Sequence, residues 1–212
     1  MKKRLHDKKA GIAILVALII IALVEMIFRI AHPMKELLKT SNMGEQVAVV
    51  ILATIILILT AKGKDRACYI CYSAWIGYFV LDQLFELPGQ FISAISSLGQ
   101  SAMWSNSGVI VNIGVIVHVL TYVGIIVIGI LLAEYMNDGS IYNRAFNISC
   151  AITLALLVLS VVICVYNVCM GRPLDLMLLV LNNLYRITMV FLFAFFAYDS
   201  AKAQLKKANL EK

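Results

Sequence analysis

Six long apolar runs, joined by short polar links, occupy this chain almost from end to end, and no water-soluble globule of its length can bury them all. Of its 212 residues, 62% are hydrophobic and 14% charged. Each run is about long enough to cross the roughly 30 Å hydrocarbon layer of a bilayer as a helix, and lipid admits only helices and closed barrels. Barrel strands would be about 9–11 residues long with alternating polarity, and that alternation is absent. The sequence therefore predicts an all-α, polytopic membrane protein with six transmembrane helices, at residues 10–31, 45–61, 67–87, 108–134, 145–169 and 174–198. The second is the shortest; its uninterrupted apolar stretch, 47–61, needs residues 43–46 to complete a crossing. Pro33, Pro88 and Pro173 fall just outside these spans, where proline punctuates a helix rather than kinking it.

The basic residues set a direction. With the N-terminus inside, the cytoplasmic side receives Lys2, Lys3, Arg4, Lys8, Lys9, Lys62, Lys64, Arg66, Arg144, Lys202, Lys206, Lys207 and Lys212, thirteen in all. The outer side receives four, Arg29, Lys35, Lys39 and Arg172. That asymmetry predicts both termini in the cytoplasm, N-in and C-in. The net charge of +6 is thus spread over short flanks at membrane exits, where headgroup attraction accounts for it, and it is no nucleic-acid footprint. The first run is too long for a signal-peptide core and lacks a small-x-small cleavage site, so it reads as an uncleaved span. The lipid bilayer is the partner this composition demands, and the expected location is the cell membrane, a bacterial plasma membrane.

No soluble domain interrupts the spans, so residues 1–200 read as one membrane domain of antiparallel neighbours. Arg66-Ala67 and Arg144-Ala145 open the third and fifth spans alike, a faint echo that suggests stacked hairpins. The outer link 88–107 carries Phe91, Ile92, Ile95 and Leu98 at helical spacing among serines, followed by Trp104, and reads as an interfacial helix or a surface-resting loop. Residues 201–212 form a basic cytoplasmic tail, either a continuation of the sixth helix or a solvated anchor. None of the five cysteines lies in a predicted outer loop. Cys68 and Cys71 make one CxxC with no second pair or nearby histidine, so the expectation is packing residues, with no metal and no cofactor.

Polar groups inside spans are the default places to look for function. Glu25 and Arg29, four apart on one helical face, can neutralise each other as a structural ion pair. Asp82 and Glu86 are also four apart but share a sign, so they require a cation, a shared proton or water; Glu86 is near the boundary and Asp82 deeper. Arg186 lies about a dozen residues from either end of the sixth span, with Asn182 one turn away and Asn183 and Tyr185 adjacent. Asp82 and Glu25 are its candidate carboxylate partners, and an anionic ligand is the alternative for a guanidinium that keeps its proton. The fourth span adds Asn112, His118 and Tyr122, and the fifth Tyr166 and Asn167, each of which also has a plain reading as an inter-helix hydrogen bonder. In the deduced orientation most of these groups fall in the outer half, which predicts an outward-opening polar pocket lined by Asp82, Asn112, His118, Asn182 and Arg186.

There is no P-loop, HExxH or GxSxG pattern and no His-carboxylate set of metal-binding spacing, so nothing identifies an enzyme. The six spans with both ends inside, and a last helix running into Tyr198-Asp199-Ser200-Ala201-Lys202-Ala203-Gln204-Leu205-Lys206-Lys207, resemble the membrane input region of bacterial sensor histidine kinases and diguanylate cyclases. That resemblance implies a sensory or small-ligand-binding module. The chain stops where an output domain would begin, without a phosphoacceptor histidine, ATP-binding boxes or a GGDEF signature, so the signal is expected to pass to a membrane or cytoplasmic protein partner. Six spans in this length, with Ala13 and Ala17 four apart in the first, are also similar to the substrate-binding subunits of energy-coupling-factor vitamin transporters. Those subunits hold a small molecule in an outward pocket and dock on a partner through the first span. A structural or immunity-type membrane protein without a ligand is the third alternative.

Overall fold

Helices account for nearly every described residue. The computed structural model describes residues 8–31, 43–100, 106–138, 144–169 and 175–210. Among them are α1 (Lys8–Ala31), α2 (Met43–Ala61), α3 (Asp65–Gln100), α4 (Asn106–Asp138), α5 (Arg144–Cys169) and α6 (Asp175–Leu210). The predicted spans lie within these six helices, apart from Leu174, which is outside the described residues. Five helices hold stretches long and apolar enough to cross a membrane: Lys9–Ala31, Gly44–Ala61, Ile113–Glu134, Arg144–Asn167 and Leu178–Asp199. The exception is α3, which carries Asp82, Gln83, Glu86, Gln90 and three serines from its midpoint onward. A multi-pass membrane protein is consistent with this composition.

One boundary differs from expectation. Pro88 does not end the third helix but sits inside α3, which continues unbroken to Gln100. A proline there removes one rung of the ladder, the N–H that would reach the Leu84 carbonyl. The apolar residues Phe91, Ile92 and Ile95 that recur at helical spacing are thus an extension of α3 and are exposed. Pro33, Pro173 and Trp104 lie outside the described residues. At the other end of the chain, α6 runs on to Leu210.

The one described link between helices is the α2–α3 turn, built as a Schellman cap. Lys64 N–H reaches the Leu59 carbonyl at 3.0 Å, and Gly63 N–H reaches that of Thr60 at 3.1 Å. Gly63 takes φ +66°, the left-handed conformation that a side chain would penalise. Cys68 N–H then bonds the Lys64 carbonyl at 3.1 Å and starts α3, with Asp65 in its first turn where the helix dipole favours a negative charge.

The chain divides into two units, one formed by Met1–Trp75 with Phe195–Lys212, the other by Ile76–Ala194. In the first, α1 packs on α2. Each contributes a buried stripe at steps of three and four: Gly11, Leu15, Leu18, Ala22 and Glu25 from α1, Gln46, Val49, Ala53, Ile56 and Thr60 from α2. Cys68 is buried beside Thr60, its sulfur 3.5 Å from the hydroxyl. Tyr72 and Phe195 meet as tilted rings 6.3 Å apart between centroids, and Tyr69 and Phe196 likewise at 4.7 Å.

In the second unit α4 packs on α5. Gly124 permits the approach, because a Cβ there would collide with the Thr153 side chain. The α6 segment is the most enclosed, with Val180, Leu181, Asn183, Tyr185, Arg186, Met189, Val190, Leu192 and Phe193 all buried. Over the apolar stretch of α6 61% of residues are buried, against 28–33% for the other four.

The surface is the reverse of a soluble protein's. Ile20, Ile27, Ile30, Ile51, Ile130, Ile152, Val158 and Val162 are exposed, while Gln46, Thr121, Thr153, Ser160 and Asn183 are buried. Apolar surface on this scale requires a partner or lipid. Hydroxyls are also satisfied within their own helices, as lipid demands: Thr54 donates to the Val50 carbonyl at 2.7 Å, Thr60 to Ile56 at 2.8 Å and Thr188 to Leu184 at 2.9 Å.

Candidate functional site

The polar groups of the second unit gather around Arg186, which is only 2% exposed. The cluster starts on α4, where His118, Thr121 and Tyr122 share one face because they lie three and four residues apart. The Thr121 hydroxyl donates to the His118 carbonyl at 2.6 Å. That leaves its oxygen lone pairs to accept from Arg186 Nη1 at 3.4 Å, a long and weak bond. The guanidinium carbon sits 3.9 Å from the centroid of the Tyr122 ring. The His118 ring meets the same tyrosine edge-on, at 5.3 Å and 83°.

Tyr122 also carries the cluster outward to α3. Its hydroxyl donates to Glu86 Oε2 at 2.9 Å. A phenol bonded to a carboxylate has a more electron-rich ring, so Glu86 offsets the Arg186 charge indirectly, through the π face. Among the described residues no carboxylate forms an ion pair with Arg186, and its buried Nε has no hydrogen-bond partner. A guanidinium has two donor edges; Nη1 faces Thr121, and Nε belongs to the side edge it shares with Nη2.

One turn back on α6, Asn183 donates from Nδ2 to Ser160 Oγ of α5 at 2.9 Å. Its carbonyl oxygen Oδ1 is buried without a partner. Asn183 and Arg186 are three residues apart, so an acceptor and a donor, both lacking partners, lie on neighbouring positions of one helix face. Elsewhere in the unit Phe79 of α3 packs edge-on against Tyr185 at 5.6 Å and against Phe193 at 6.0 Å, both on α6.

The sequence-derived site residues fare differently. Arg186 and His118 come together through Tyr122. Asn182 is half-buried one turn from Arg186 on α6. Asp82 is half-buried and accepts from Gln83 Nε2 at 3.2 Å; it forms no ion pair with Arg186, contrary to one of the two partners expected for that residue. The other expected partner, Glu25, is held in the first unit by Arg29, whose Nη2 and Nε reach Glu25 Oε1 at 2.7 and 3.1 Å. The Asn112 side chain lies outside the described residues. Tyr166 is exposed, and Asn167 bonds the Ile163 carbonyl of its own helix at 2.9 Å.

Thr121, Tyr122, Glu86, Asn183 and Ser160 were absent from the sequence-derived site. One signal for Glu86 was present: Tyr72, Ile76, Phe79, Gln83 and Glu86 continue a single three-and-four stripe along α3, and Asp82 falls one residue off it. Depth along the span favours Asp82, whereas the angular position that decides contact favours Glu86. The five cysteines are all free, and no group of three His, Cys, Asp or Glu among the described residues is placed to hold a metal ion. Comparison with known proteins adds no relative: no family model matches the chain, no curated protein matches it, and no solved structure matches it.

Proposed function

We propose that this chain is a six-span membrane receptor module, with both termini in the cytoplasm, that binds a small ligand at the Arg186 cluster and passes the event to a protein partner. The observation that carries the proposal is a guanidinium 2% exposed with a weak hydroxyl contact, an aromatic face and no ion-paired carboxylate among the described residues. A charge held so incompletely in an apolar body costs several kcal/mol, and such residues are retained for ligands or pathways. The thirteen-to-four distribution of basic residues supports the orientation, in which Glu86 falls in the outer half and Arg186 and His118 nearer the centre. The third crossing is assigned to residues 67–87 of α3, whose polar second half is the part that supplies Glu86. The α6 helix, which carries both Arg186 and the basic stretch up to Leu210, offers a direct route from ligand to partner.

A membrane-impermeant thiol reagent applied from outside tests the reading on D82C and N182C in a background with the native cysteines replaced. Labelling at both supports an outward cavity, and protection at both rejects it. A second reading, the substrate-binding subunit of a small-molecule transporter, is favoured by the exposure of Ala13 in the Ala13/Ala17 pair of α1, which leaves a small-residue face open. It predicts co-purification with an ATPase module from mild detergent, whereas the receptor reading predicts a signalling partner.

A further inference from the structure

We infer that the ligand of the Arg186 cluster is a small carboxylate that also carries a hydrogen-bond donor, of the hydroxy- or amino-acid class. This rests on the receptor reading above and names its ligand chemistry. Among the described residues, three buried side-chain polar atoms of the second unit lack a partner, Gln83 Oε1 on α3 and, at neighbouring positions of α6, Arg186 Nε and Asn183 Oδ1; the α6 pair carries the inference. Those two call for opposite chemistry. Nε is a cationic donor on the side edge of the guanidinium, the edge turned away from the Thr121 bond made by Nη1. Two parallel N–H groups at such an edge match the two oxygens of a planar carboxylate. Asn183 Oδ1 is an acceptor whose own amide nitrogen is committed to Ser160. It requires an O–H or N–H from the ligand.

Side chains three residues apart on a helix are separated by roughly 5–6 Å at Cβ, a span that a carboxylate and a donor on the adjacent carbon can bridge. A cation is excluded by the buried guanidinium. A neutral amide would leave the charge uncompensated. A phosphate dianion would bring a second negative charge toward Glu86, which is already coupled to the cluster through Tyr122 at 2.9 Å. A single carboxylate closes the donor edge with one charge. It arrives either in a water-soluble acid or as the head of a bilayer fatty acid, and the Asn183 acceptor favours the former because a plain fatty acid brings no donor.

The test is the thermal midpoint of the full chain, purified in mild detergent, with sodium lactate, sodium propionate, lactamide and sodium myristate at constant ionic strength. Lactate should raise the midpoint saturably by on the order of 3 °C. Propionate should need a several-fold higher concentration, and lactamide should do nothing. R186K keeps the charge but loses the fork, and should weaken lactate at least about tenfold; N183L should bring lactate down to the propionate level. An equal response to lactate and lactamide, an unchanged lactate response in R186K, or a response to myristate alone would each overturn the inference. Outside labelling of D82C and N182C without any lactate response would overturn it too, while leaving the receptor reading in place.

Discussion

Arg29 and Arg186 are both set in helices of a largely apolar protein, one in each unit, and their charges are handled in opposite ways. Arg29 turns back on its own helix to Glu25, four residues earlier, and closes a 2.7 Å ion pair with a carboxylate that is only 3% exposed. Arg186 has no such neighbour on α6 and spreads its charge over an aromatic ring and a distant hydroxyl from α4. In the first arrangement the two charges neutralise each other within one helical turn, although Glu25 Oε2 is buried without a hydrogen-bond partner; the second depends on three helices, has no ion-paired carboxylate among the described residues, and leaves Nε without a partner. An ion pair leaves no net charge to compensate, whereas a lone buried guanidinium does.

Substitutions can break or sharpen that contrast. The largest effect is expected from Arg29→Ala, which leaves the Glu25 carboxylate buried and alone and should cost about 3–5 kcal/mol in denaturant unfolding of the purified protein. Gly124→Val should cost about 1–3 kcal/mol, because the new side chain enters the space of Thr153 and would show that the second unit is tightly packed despite its open charge. Tyr122→Phe removes the donor to Glu86 and should cost about 1 kcal/mol, toward the lower end for a bond to a charged group because Glu86 is exposed. Arg186→Met should come within about 1 kcal/mol of the parent or above it, since an apolar side chain of similar length removes an incompletely satisfied charge. A loss in Arg186→Met as large as that in Arg29→Ala would erase the distinction.

What could be read from the residues alone follows the same local-versus-distant line. Helix positions were legible because each apolar run is about as long as a bilayer crossing requires, and so was Glu25 with Arg29, because one turn of helix decides their meeting. Pro88 was misjudged because proline usually marks an end, yet here α3 absorbs the missing N–H and continues. Arg186 stood out for its depth, but its surroundings did not. Tyr122 and Glu86 are brought to it by the packing of α3, α4 and α6, and nothing in their spacing along the chain encodes that crossing. Asp82 looked the better carboxylate by depth, whereas one residue of helical phase turned it toward Gln83.

The proline inside α3 has a mechanical consequence. With no amide hydrogen at Pro88 and its ring crowding the Leu84 carbonyl, the rod is weakest over that turn, and Glu86 sits in the middle of it. Any flexing of α3 there pivots the carboxylate against the phenol it grips, so the stiffness of a single missing rung sets how firmly the tyrosine beneath the guanidinium is anchored.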